Sequence, residues 1–368
     1  MNVLQMEYRG YRNLQEGGFS PSDGINVIYG KNANGKTNLL EAMWLFTGGR
    51  SFRGSRDSDL CAIGGDSAQL CMRFFSEDRE QKAEITVRNG RRSAVLNGVE
   101  KRSASALVGK FCAVIFSPDH LSLVKEGPVF RRNFLDGALC QLRPAYARLL
   151  GQYNRTLSQR NALLKDIPRH GELMDTLEIW DDRLAALGAS IMAERLAYTE
   201  KISGFASGVY AEISQEEQPL SVSYQTQIQA DPGVQAQELA RLLFERLSKS
   251  HRADVAAGFT TIGPHRDDLE LELGGKSARV FGSQGQQRSV VLSLKLAEAQ
   301  MISDRTGERP VIFLDDVMSE LDAQRQDYLL NRLEEKQVFI TCCDPDSVKR
   351  LRSGRLFEMK DGVLHAAD

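Results

Sequence analysis

The sequence lacks any apolar run long enough to cross a membrane. A transmembrane helix needs about 18 or more consecutive apolar residues, and the 368-residue chain has no run of that kind. Its first residues, MNVLQMEYRGYRN, also lack the apolar core of a signal peptide and are typical of a first strand. We therefore expect a cytoplasmic protein without a membrane partner.

The sequence also lacks clustered cysteines and a strong charge of either sign. Its six cysteines are scattered apart from Cys342-Cys343, and no set has the spacing of a zinc site. Reduced thiols in a cytosolic protein are therefore expected. The formal net charge of −2 excludes a basic protein of the histone type, so any positive surface for nucleic acid must be local. Sustained heptads are missing too, which argues against a chromosome ATPase with a long coiled coil.

Strand and helix patterns alternate at both ends of the chain, around a helical middle. Near the N-terminus, GINVIYG predicts an apolar strand and GKTNLLEAMWLFTG predicts a helix. Two pairs, Asn89-Gly90 and Asn97-Gly98, indicate hairpins in an antiparallel meander from about Ala68 to Lys101. From about Val129 to Ile213, glycine is sparse and helical spacing dominates. These patterns favour an α/β domain that is split by a helical insertion.

The segment GKNANGKT matches the phosphate-loop pattern G-x-x-x-x-G-K-[ST]. An apolar strand precedes it and a helix follows it, which is the context that the motif requires. In such loops backbone amides surround the phosphates, Lys36 reaches the β and γ oxygens, and the Thr37 hydroxyl ligates Mg²⁺. The segment predicts a nucleoside triphosphate site made of Gly30, Lys31, Asn32, Ala33, Asn34, Gly35, Lys36 and Thr37.

A later apolar strand, PVIFLDD, ends in Asp315 and Asp316. Parallel strands place their carboxyl ends at a ligand crevice, so Asp315 fits a carboxylate beside Mg²⁺ and Asp316 fits a group that orients or deprotonates the attacking water. The alternative is a strand that ends in solvated acids, with a helix cap at Ser319. The phosphate loop favours the first interpretation, with Lys36, Asp315 and Asp316 catalytic and Thr37 and Asp315 as metal ligands.

The stretch SQGQQR begins a strongly apolar helix with unusual hydrogen-bonding capacity. One explanation is a capping box formed by Ser283 and Gln286. It leaves Gly285 unexplained, because glycine lowers helix stability within a first turn. Gly285 fits a site where a ligand approaches the backbone closely, and a helix N-terminus is favourable for an anion. The residues alone leave both explanations open.

The order of these three motifs resembles that of the ABC-type ATPases. In that class the serine-glycine-glutamine helix start contacts the γ-phosphate bound by a partner subunit. The resemblance therefore implies a homodimer with ATP between two copies, in which Ser283, Gly285 and Gln286 bind the nucleotide of the other copy and SELD crosses the same interface. The implied fold is an α/β ABC-type ATPase head with an antiparallel β subdomain, split by an inserted helical domain.

A closer resemblance is to the RecF family of recombination mediators. It rests on the blocks YRGYRNL, EAMWLFTGGRSFR, FSPDHLSLVKEGPVFRRNFLD and GPHRDDL, and it covers nearly the whole chain. The resemblance implies ATP binding, dimerisation on ATP, binding of DNA at single-strand gaps and junctions, and loading of RecA together with RecO and RecR. It also implies roles in DNA repair, replication, recombination and the SOS response, and it adds Arg12 to the expected nucleotide site.

Three segments are expected from the motifs and the helical middle. Residues 1–127 would form the N-terminal part of the ATPase domain, with the phosphate loop and the meander. Residues 128–213 would form the helical insertion. Residues 214–368 would form the C-terminal part, with the SQGQQR helix start, the acidic strand and the SELD loop.

Two departures from the ABC-type pattern predict slow hydrolysis. FITCCD places Cys343 or its neighbour where relatives often have a histidine that senses the γ-phosphate. Asp316 stands where transporters usually have glutamate, which is one methylene longer. The expected activity is that of a weak ATPase with Mg²⁺ as cofactor, in which ATP acts as a timed clamp.

Several basic clusters are candidates for contacts with DNA. Phosphate recognition needs only positive charge and amides, and it carries no sequence preference. The insertion adds Arg148, Arg155 and Arg160. For each cluster a solvated surface is the simpler alternative. The candidate contacts are Arg50, Arg53, Arg56, Arg91, Arg92, Arg131 and Arg132.

Two other functions stay open. The nucleotide-binding subunit of a transporter would share the pocket, but it needs a membrane partner and typically lacks a helical insertion of this length. A DNA-binding scaffold could hold ATP without hydrolysing it. The GPHRDD segment, Gly263 to Asp268, has no second histidine at ligand spacing and does not predict a metal site. We interpret it as a turn between strands near the nucleotide.

Overall fold

Strands and helices alternate at both ends of the chain, and long helices fill its middle. The computed structural model describes residues 1–101, 103–214, 218–228, 234–344 and 354–367. Within these ranges the strands are β1 (Asn2–Arg9), β2 (Gly17–Phe19), β3 (Ile25–Tyr29), β4 (Ser67–Ser76), β5 (Arg79–Arg88), β6 (Arg91–Leu96), β7 (Val99–Lys101), β8 (Ala113–Phe116), β9 (Leu220–Gln225), β10 (Asp268–Leu273), β11 (Lys276–Ser277), β12 (Val311–Asp315), β13 (Val338–Cys342), β14 (Arg355–Lys360) and β15 (Val363–Ala367). The helices there are α1 (Lys36–Trp44), α2 (Ser122–Lys125), α3 (Pro128–Leu142), α4 (Pro144–Asp166), α5 (Leu177–Ser214), α6 (Ala236–Ala257), α7 (Ala278–Phe281), α8 (Gln284–Thr306) and α9 (Ala323–Leu333).

The central sheet has the strand order β15-β14-β3-β13-β12-β8, and only β15 is antiparallel to its neighbour. Strands β8, β12 and β13 are buried along their whole length, which explains their continuous apolar sequences. Because β3, β13 and β12 are adjacent and parallel, their carboxyl ends lie side by side at one edge. That edge carries the phosphate loop, Cys343, and the pair Asp315-Asp316.

A second sheet is antiparallel and has the order β2-β1-β4-β5-β6-β7. It confirms the predicted meander. Both predicted turns, Asn89-Gly90 and Asn97-Gly98, have positive φ at every residue, from 50° at Asn97 to 79° at Gly98. The turn between β4 and β5 was not predicted, because Glu77-Asp78 adopts φ 55° at both residues without a glycine to signal it.

The middle of the chain is helical, as predicted. Helix α4 has 23 residues and α5 has 38. Between them lie Pro168 and a 3-10 helix at Gly171–Thr176, which interrupt the helical run. Although α5 is long, none of the helices within the described ranges combines the length and apolar character needed to cross a membrane.

The chain forms two compact units whose boundaries differ from the expected ones. The first unit comprises residues 1–121, 212–214 and 291–368, and the second comprises 122–211 and 215–290. Residues 215–290 thus group with the helical insertion and not with the ATPase domain. Ion pairs between distant segments explain this grouping, because Arg131 of α3 binds Asp268 of β10 and Arg160 of α4 binds Asp254 of α6.

Candidate functional site

The phosphate loop joins β3 to α1 through three residues in left-handed backbone conformations, Gly30 (φ 152°), Ala33 (φ 66°) and Gly35 (φ 108°). Glycine adopts such values without a steric penalty. A Cβ on residue 30 would also overlap the carbonyl oxygen of Met359 in β14, and one on residue 35 would lie 2.8 Å from Leu14 Cδ2. The space around the loop therefore requires glycine at residue 30, whereas at residue 35 the backbone conformation is the stronger reason for glycine.

Residues far away in the sequence hold the loop in place. Asn13 Nδ2 donates to the Ala33 carbonyl over 2.8 Å, and Asn34 Nδ2 donates to the Met359 carbonyl over 2.9 Å. The amide of Gly362, in the turn between β14 and β15, donates to the Asn34 carbonyl over 3.1 Å. Asn13 lies in the YRGYRNL block, but the sequence reasoning gave none of Asn13, Met359 and Gly362 a role at the phosphate loop.

Lys36 is placed to contact a phosphate at the start of α1. Its side chain is 5% exposed, and Nζ donates to the carbonyls of Gly30 (2.7 Å) and Lys31 (3.1 Å). The N-cap residue Gly35 has no side chain to bond the first amides, and the first turn contains no acid. A nine-residue helix with bare amides and a lysine at its N-terminus is suited to an anion.

Thr37 and Asp315 meet at the carboxyl edge of the central sheet. The Thr37 hydroxyl donates to Asp315 Oδ1 over 2.9 Å, and the Thr341 hydroxyl donates to the same oxygen over 2.7 Å. Burial raises the pKa of Asp315, although both hydroxyls act in the opposite direction. A divalent cation beside the carboxylate would offset the effect of burial, and Mg²⁺ prefers oxygen ligands of this kind. The cluster therefore fits Mg²⁺.

Asp316 lies next to this cluster in a left-handed conformation, with φ 55°. Two hydrogen bonds hold it there. Its amide donates to Thr341 Oγ1 over 3.0 Å, and its carbonyl accepts from Ser319 Oγ over 2.9 Å. Non-glycine residues at positive φ are uncommon and often occur at functional sites. The conformation is consistent with the predicted role of Asp316, which stays a prediction.

Cys343 follows β13 and touches the phosphate loop. Its thiol is exposed and donates to Asn32 Oδ1 over 3.0 Å. The amide of Gly30 donates to the carbonyl of the neighbouring Cys342 over 3.3 Å, so the end of β13 lies directly beside the loop. A thiol therefore stands beside the loop, where the family resemblance leads us to expect a γ-phosphate sensor.

The start of α8 forms the capping box that one explanation requires. The Ser283 amide donates to Gln286 Oε1 over 2.8 Å, and the Gln286 amide donates to Ser283 Oγ over 3.2 Å. Ser283 is exposed and Gly285 is half-buried. The box accounts for Ser283 and Gln286 but gives no reason for Gly285, so contact with a nucleotide of a second copy stays a prediction.

Arg12 connects α1 to the loop that follows it. Its guanidinium donates to Glu41 through Nε (2.5 Å) and Nη2 (2.9 Å), and to Ser55 Oγ over 2.8 Å. Glu41 is fully buried and also accepts from Tyr11 Oη over 2.9 Å and from Ser51 Oγ over 2.5 Å. These contacts give Arg12 a positioning role beside the phosphate loop. A direct contact with nucleotide stays a prediction.

Three of the predicted DNA contacts are engaged inside their own unit. Arg92 donates to the Gly49 carbonyl over 2.7 Å and its Nε lies 2.8 Å from Asp57 Oδ1, with 9% of the side chain exposed. Arg131 is 6% exposed and binds both carboxylate oxygens of Asp268, over 2.7 and 2.8 Å. Arg132 is half-buried and donates to the Asp267 carbonyl over 2.7 Å. These contacts occupy donors of all three side chains inside their own unit, so DNA contact is less favoured for them and stays a prediction.

The other four predicted DNA contacts are exposed: Arg50, Arg53, Arg56 and Arg91. Arg53 has a second feature, because its Nη1 donates to Asn38 Oδ1 in α1 over 2.8 Å. Its positive charge also acts to lower the pKa of Asp315, against the larger effect of burial. Arg53 therefore lies beside the candidate nucleotide site. Its position fits contact with nucleotide as well as contact with DNA.

The GPHRDD segment is a turn between α6 and β10, in the second unit, so it does not join two strands as predicted. Tyr153 Oη and His265 Nδ1 are 2.6 Å apart, and Arg195 Nη1 donates to the Pro264 carbonyl over 2.6 Å. Tyr224 Oη donates to Asp267 Oδ2 over 2.6 Å. Burial lowers the pKa of His265 to about 4. A neutral histidine fixed in this way stabilises the turn.

The fold and the site together define an ABC-type ATPase head. A phosphate loop and an acidic strand lie at one edge of a parallel sheet, and α8 begins with the serine-glycine-glutamine sequence. A family model described as "RecF/RecN/SMC N terminal domain" matches residues 2–363. The chain belongs to the RecF family. An Smc head bound to the C-winged helix domain of ScpA matches with a TM-score of 0.57 at 18% identity, which shows the fold alone.

Relatives over the full length support the family assignment. The chain is 38% identical over 370 residues to the DNA replication and repair protein RecF of Ruminiclostridium cellulolyticum, and the match covers 100% of both. It is 39% identical over 347 residues to RecF of Acetivibrio thermocellus, covering 94% of both. The solved structure of the recombination mediator protein RecF-ATP in the RecFOR pathway has a TM-score of 0.93 at 38% identity, covering 100% of this chain and 98% of that one.

Proposed function

We propose that this protein is an ATP-dependent recombination mediator that dimerises on ATP and binds DNA at single-strand gaps and junctions. The observation that carries the proposal is the meeting of Lys36, Thr37 and Asp315 at one sheet edge, in a chain similar over its full length to a RecF solved with ATP. Together with RecO and RecR, it would load RecA in the cytoplasm during DNA repair, replication restart and SOS induction.

ATP with Mg²⁺ is the ligand that best fits the loop. Lys36 would turn from the loop carbonyls to the β and γ oxygens, and the amides at the start of α1 would bind the same phosphates. Thr37 and Asp315 would hold Mg²⁺. Among the described residues there is no group of three or more His, Cys, Asp or Glu suited to a metal. Phosphates and water would therefore complete the coordination, which is usual for Mg²⁺.

The N-terminal end of α8 is proposed to contact the ATP of a second copy. Ser283, which starts this helix, is exposed, and two apolar residues of α7 just before it, Val280 and Phe281, are each 69% exposed. Exposed apolar side chains beside a polar contact are typical of protein interfaces. A closed dimer would cover these side chains and supply the γ-phosphate with donors from the partner.

Hydrolysis is proposed to be slow and to time the release of the dimer. Asp316 would orient the attacking water, but its carboxylate reaches one methylene less far than glutamate. Cys343 would offer the γ-phosphate a weak thiol donor in place of a histidine. Both features also favour the alternative of an ATP-binding scaffold that does not hydrolyse, so the decisive variant changes Asp316.

We expect Asp316→Asn to trap the protein as a dimer with ATP and Mg²⁺, because the carboxylate that orients water is lost while the phosphate contacts remain. Sedimentation with ATP, with ADP and without nucleotide measures the dimer fraction over time. The control is Asp78→Asn, an exposed hairpin acid that also has φ 55° and should behave as wild type. An unchanged dimer lifetime in Asp316→Asn would support the inert scaffold, and a monomer under all conditions would refute the proposed function.

ATP is also expected to protect Cys343 from alkylation. Its exposed thiol touches Asn32 of the loop, so bound phosphates and an ordered loop should restrict access to it. The rate of labelling, followed by mass spectrometry of the Cys343 peptide, should fall in proportion to the occupied fraction of sites. Cys343→Ser gives the background. Equal alkylation rates with and without saturating ATP would show that Cys343 does not contact the γ-phosphate.

A further inference from the structure

Helix α4 contains no acidic residue from Pro144 to Lys165, and its first acid is the last residue, Asp166. Over the same stretch it carries four cations: Arg148, Arg155, Arg160 and Lys165. Surface helices of soluble proteins usually mix both signs of charge along their exposed face. A helix of this length with one sign only is therefore a candidate for contact with an anionic partner.

The structure separates the internal cation of this helix from the external ones. Arg160 is fully buried and binds Asp181 and Asp254. Arg148 and Arg155 are exposed, and together with the exposed Gln152 and Gln159 they recur at spacings of four, three and four residues. Such spacing places the four side chains in one stripe, which spans about 16 Å at 1.5 Å per residue.

Helix α6 runs beside α4 in the same direction. Tyr153 of α4 and Leu243 of α6 both lie against Gly188 of α5. Further along both helices Arg160 binds Asp254, and Leu164 and Val255 lie in one hydrophobic cluster. The two helices therefore lie side by side in the second unit.

The second half of α6 is also basic on its surface. Its exposed cations there are Arg246, Lys249 and Arg252. The acids of its first half, Glu238 and Glu245, both pair with Arg241, and Asp254 is buried. We call the five residues Arg148, Arg155, Arg246, Lys249 and Arg252 the α4–α6 basic surface.

The five cations differ from Arg92 and Arg131, two arginines of the dense basic clusters in the sequence. Arg92 and Arg131 are paired with carboxylates inside their units. Within the described ranges, none of the ion pairs involves a member of the α4–α6 basic surface. An exposed guanidinium without a protein carboxylate keeps its donors for a phosphate.

We propose that the α4–α6 basic surface binds the phosphodiester backbone of duplex DNA. This inference rests on the proposed function and names the surface that DNA would contact. The charges are spread along two exposed helices and do not converge on one point, which suits a linear polyanion better than a single phosphate group. The guanidinium, ammonium and amide donors offer backbone contacts, which carry no sequence preference.

The test uses two variants of the full chain, Arg148→Gln/Arg155→Gln and Arg246→Gln/Lys249→Gln/Arg252→Gln. The probe is a short fluorescein-labelled duplex of mixed sequence, titrated with ATP and Mg²⁺ between about 50 and 200 mM salt. Each lost phosphate contact should reduce the slope of log Kobs against log salt by about 0.9. We therefore expect reductions of about 1.8 per bound protomer for the double variant and about 2.7 per bound protomer for the triple variant if every residue contacts a phosphate.

Matched controls test whether the change in slope comes from this surface or from the loss of any positive charge. Arg241→Gln removes a cation from α6 that is already paired with two glutamates. Arg79→Gln removes an exposed arginine of β5 that pairs with Glu77. Both should bind the duplex with the wild-type slope. Thermal unfolding of every variant checks that the fold is retained.

The outcomes distinguish this inference from the proposed function. If the wild type shows salt-dependent binding and both variants keep its slope, the α4–α6 basic surface does not bind DNA. The proposed mediator function would be unaffected. A wild type that binds neither duplex nor gapped DNA would refute the DNA part of the proposed function itself. If the variants bind the duplex normally but lose an acidic protein partner, the surface is a protein interface and the inference is wrong.

Discussion

Replacing Arg160 by alanine is expected to lower the free energy of unfolding by about 3–5 kcal/mol, the usual range for removing one partner of a buried ion pair. Arg160 Nε donates to Asp181 Oδ1 and Nη1 donates to Asp254 Oδ2, both over 2.7 Å. All three side chains are fully buried. Without the guanidinium, two carboxylates would stay in the interior of the second unit with only neutral donors and His251, whose Nε2 is 2.5 Å from Asp181 Oδ2.

Urea unfolding followed by circular dichroism measures this effect. The matched control is Arg155→Ala, because Arg155 lies on the same helix but is exposed. Its effect should stay within about 0.5 kcal/mol, the usual range for a surface substitution away from special features. A loss of less than about 1 kcal/mol in Arg160→Ala would mean that the carboxylates are hydrated or protonated in the folded state.

The same cluster explains why the second unit is larger than the sequence predicts. Arg160 ties α4 to α5 through Asp181 and to α6 through Asp254. Arg131 ties α3 to β10 through Asp268 in the same way. Local patterns predict each of these elements, but ion pairs across roughly a hundred residues leave no local signal. The predicted boundary at residue 213 follows a change in glycine content and helical spacing along the sequence. It therefore misses the ion-pair partners Asp254 and Asp268, which lie after that residue.

Features that were predicted correctly depend on short-range chemistry. The Asn-Gly turns, the apolar strands and the phosphate loop each contain their own signal within a few residues. Asp315 could be placed beside Thr37 because parallel strands bring their carboxyl ends to one edge, and the 2.9 Å hydrogen bond confirms that placement. The supporting residues Asn13 and Thr341 had no such rule and were missed.

Charge density in the sequence was a poor guide to which arginines lack a carboxylate partner. Clusters such as RNGRR and FRRNF have high local charge, but Arg92 and Arg131 find carboxylates that lie far away in the sequence. Arg155 is isolated in the sequence, and its helix contains no acid before Asp166. Whether a cation is available depends on its neighbours in space, and only the structure provides them.

Replacing Gly30 by alanine is expected to weaken ATP binding by about a hundredfold or more. The residue has φ 152°, and its Cβ would overlap the carbonyl oxygen of Met359. A non-glycine residue in such a conformation costs about 1–3 kcal/mol, and crowding a packed site costs about 1–3 kcal/mol more. A displacement of the loop that costs about 3 kcal/mol in total reduces affinity about a hundredfold, since 1.4 kcal/mol corresponds to a factor of ten.

Gly64→Ala separates the clash from backbone strain. Gly64 also has positive φ, 80°, but nothing lies within 4 Å of the position that a Cβ would take. This variant should lose some stability and bind a fluorescent ATP analogue as the wild type does. Gly30→Ala should bind the analogue at least about a hundredfold more weakly and keep a cooperative unfolding transition. Normal binding by Gly30→Ala would mean that β14 can move away from the loop. The contacts of Met359 and Gly362 with Asn34 would then not be what holds the phosphate loop in its binding conformation.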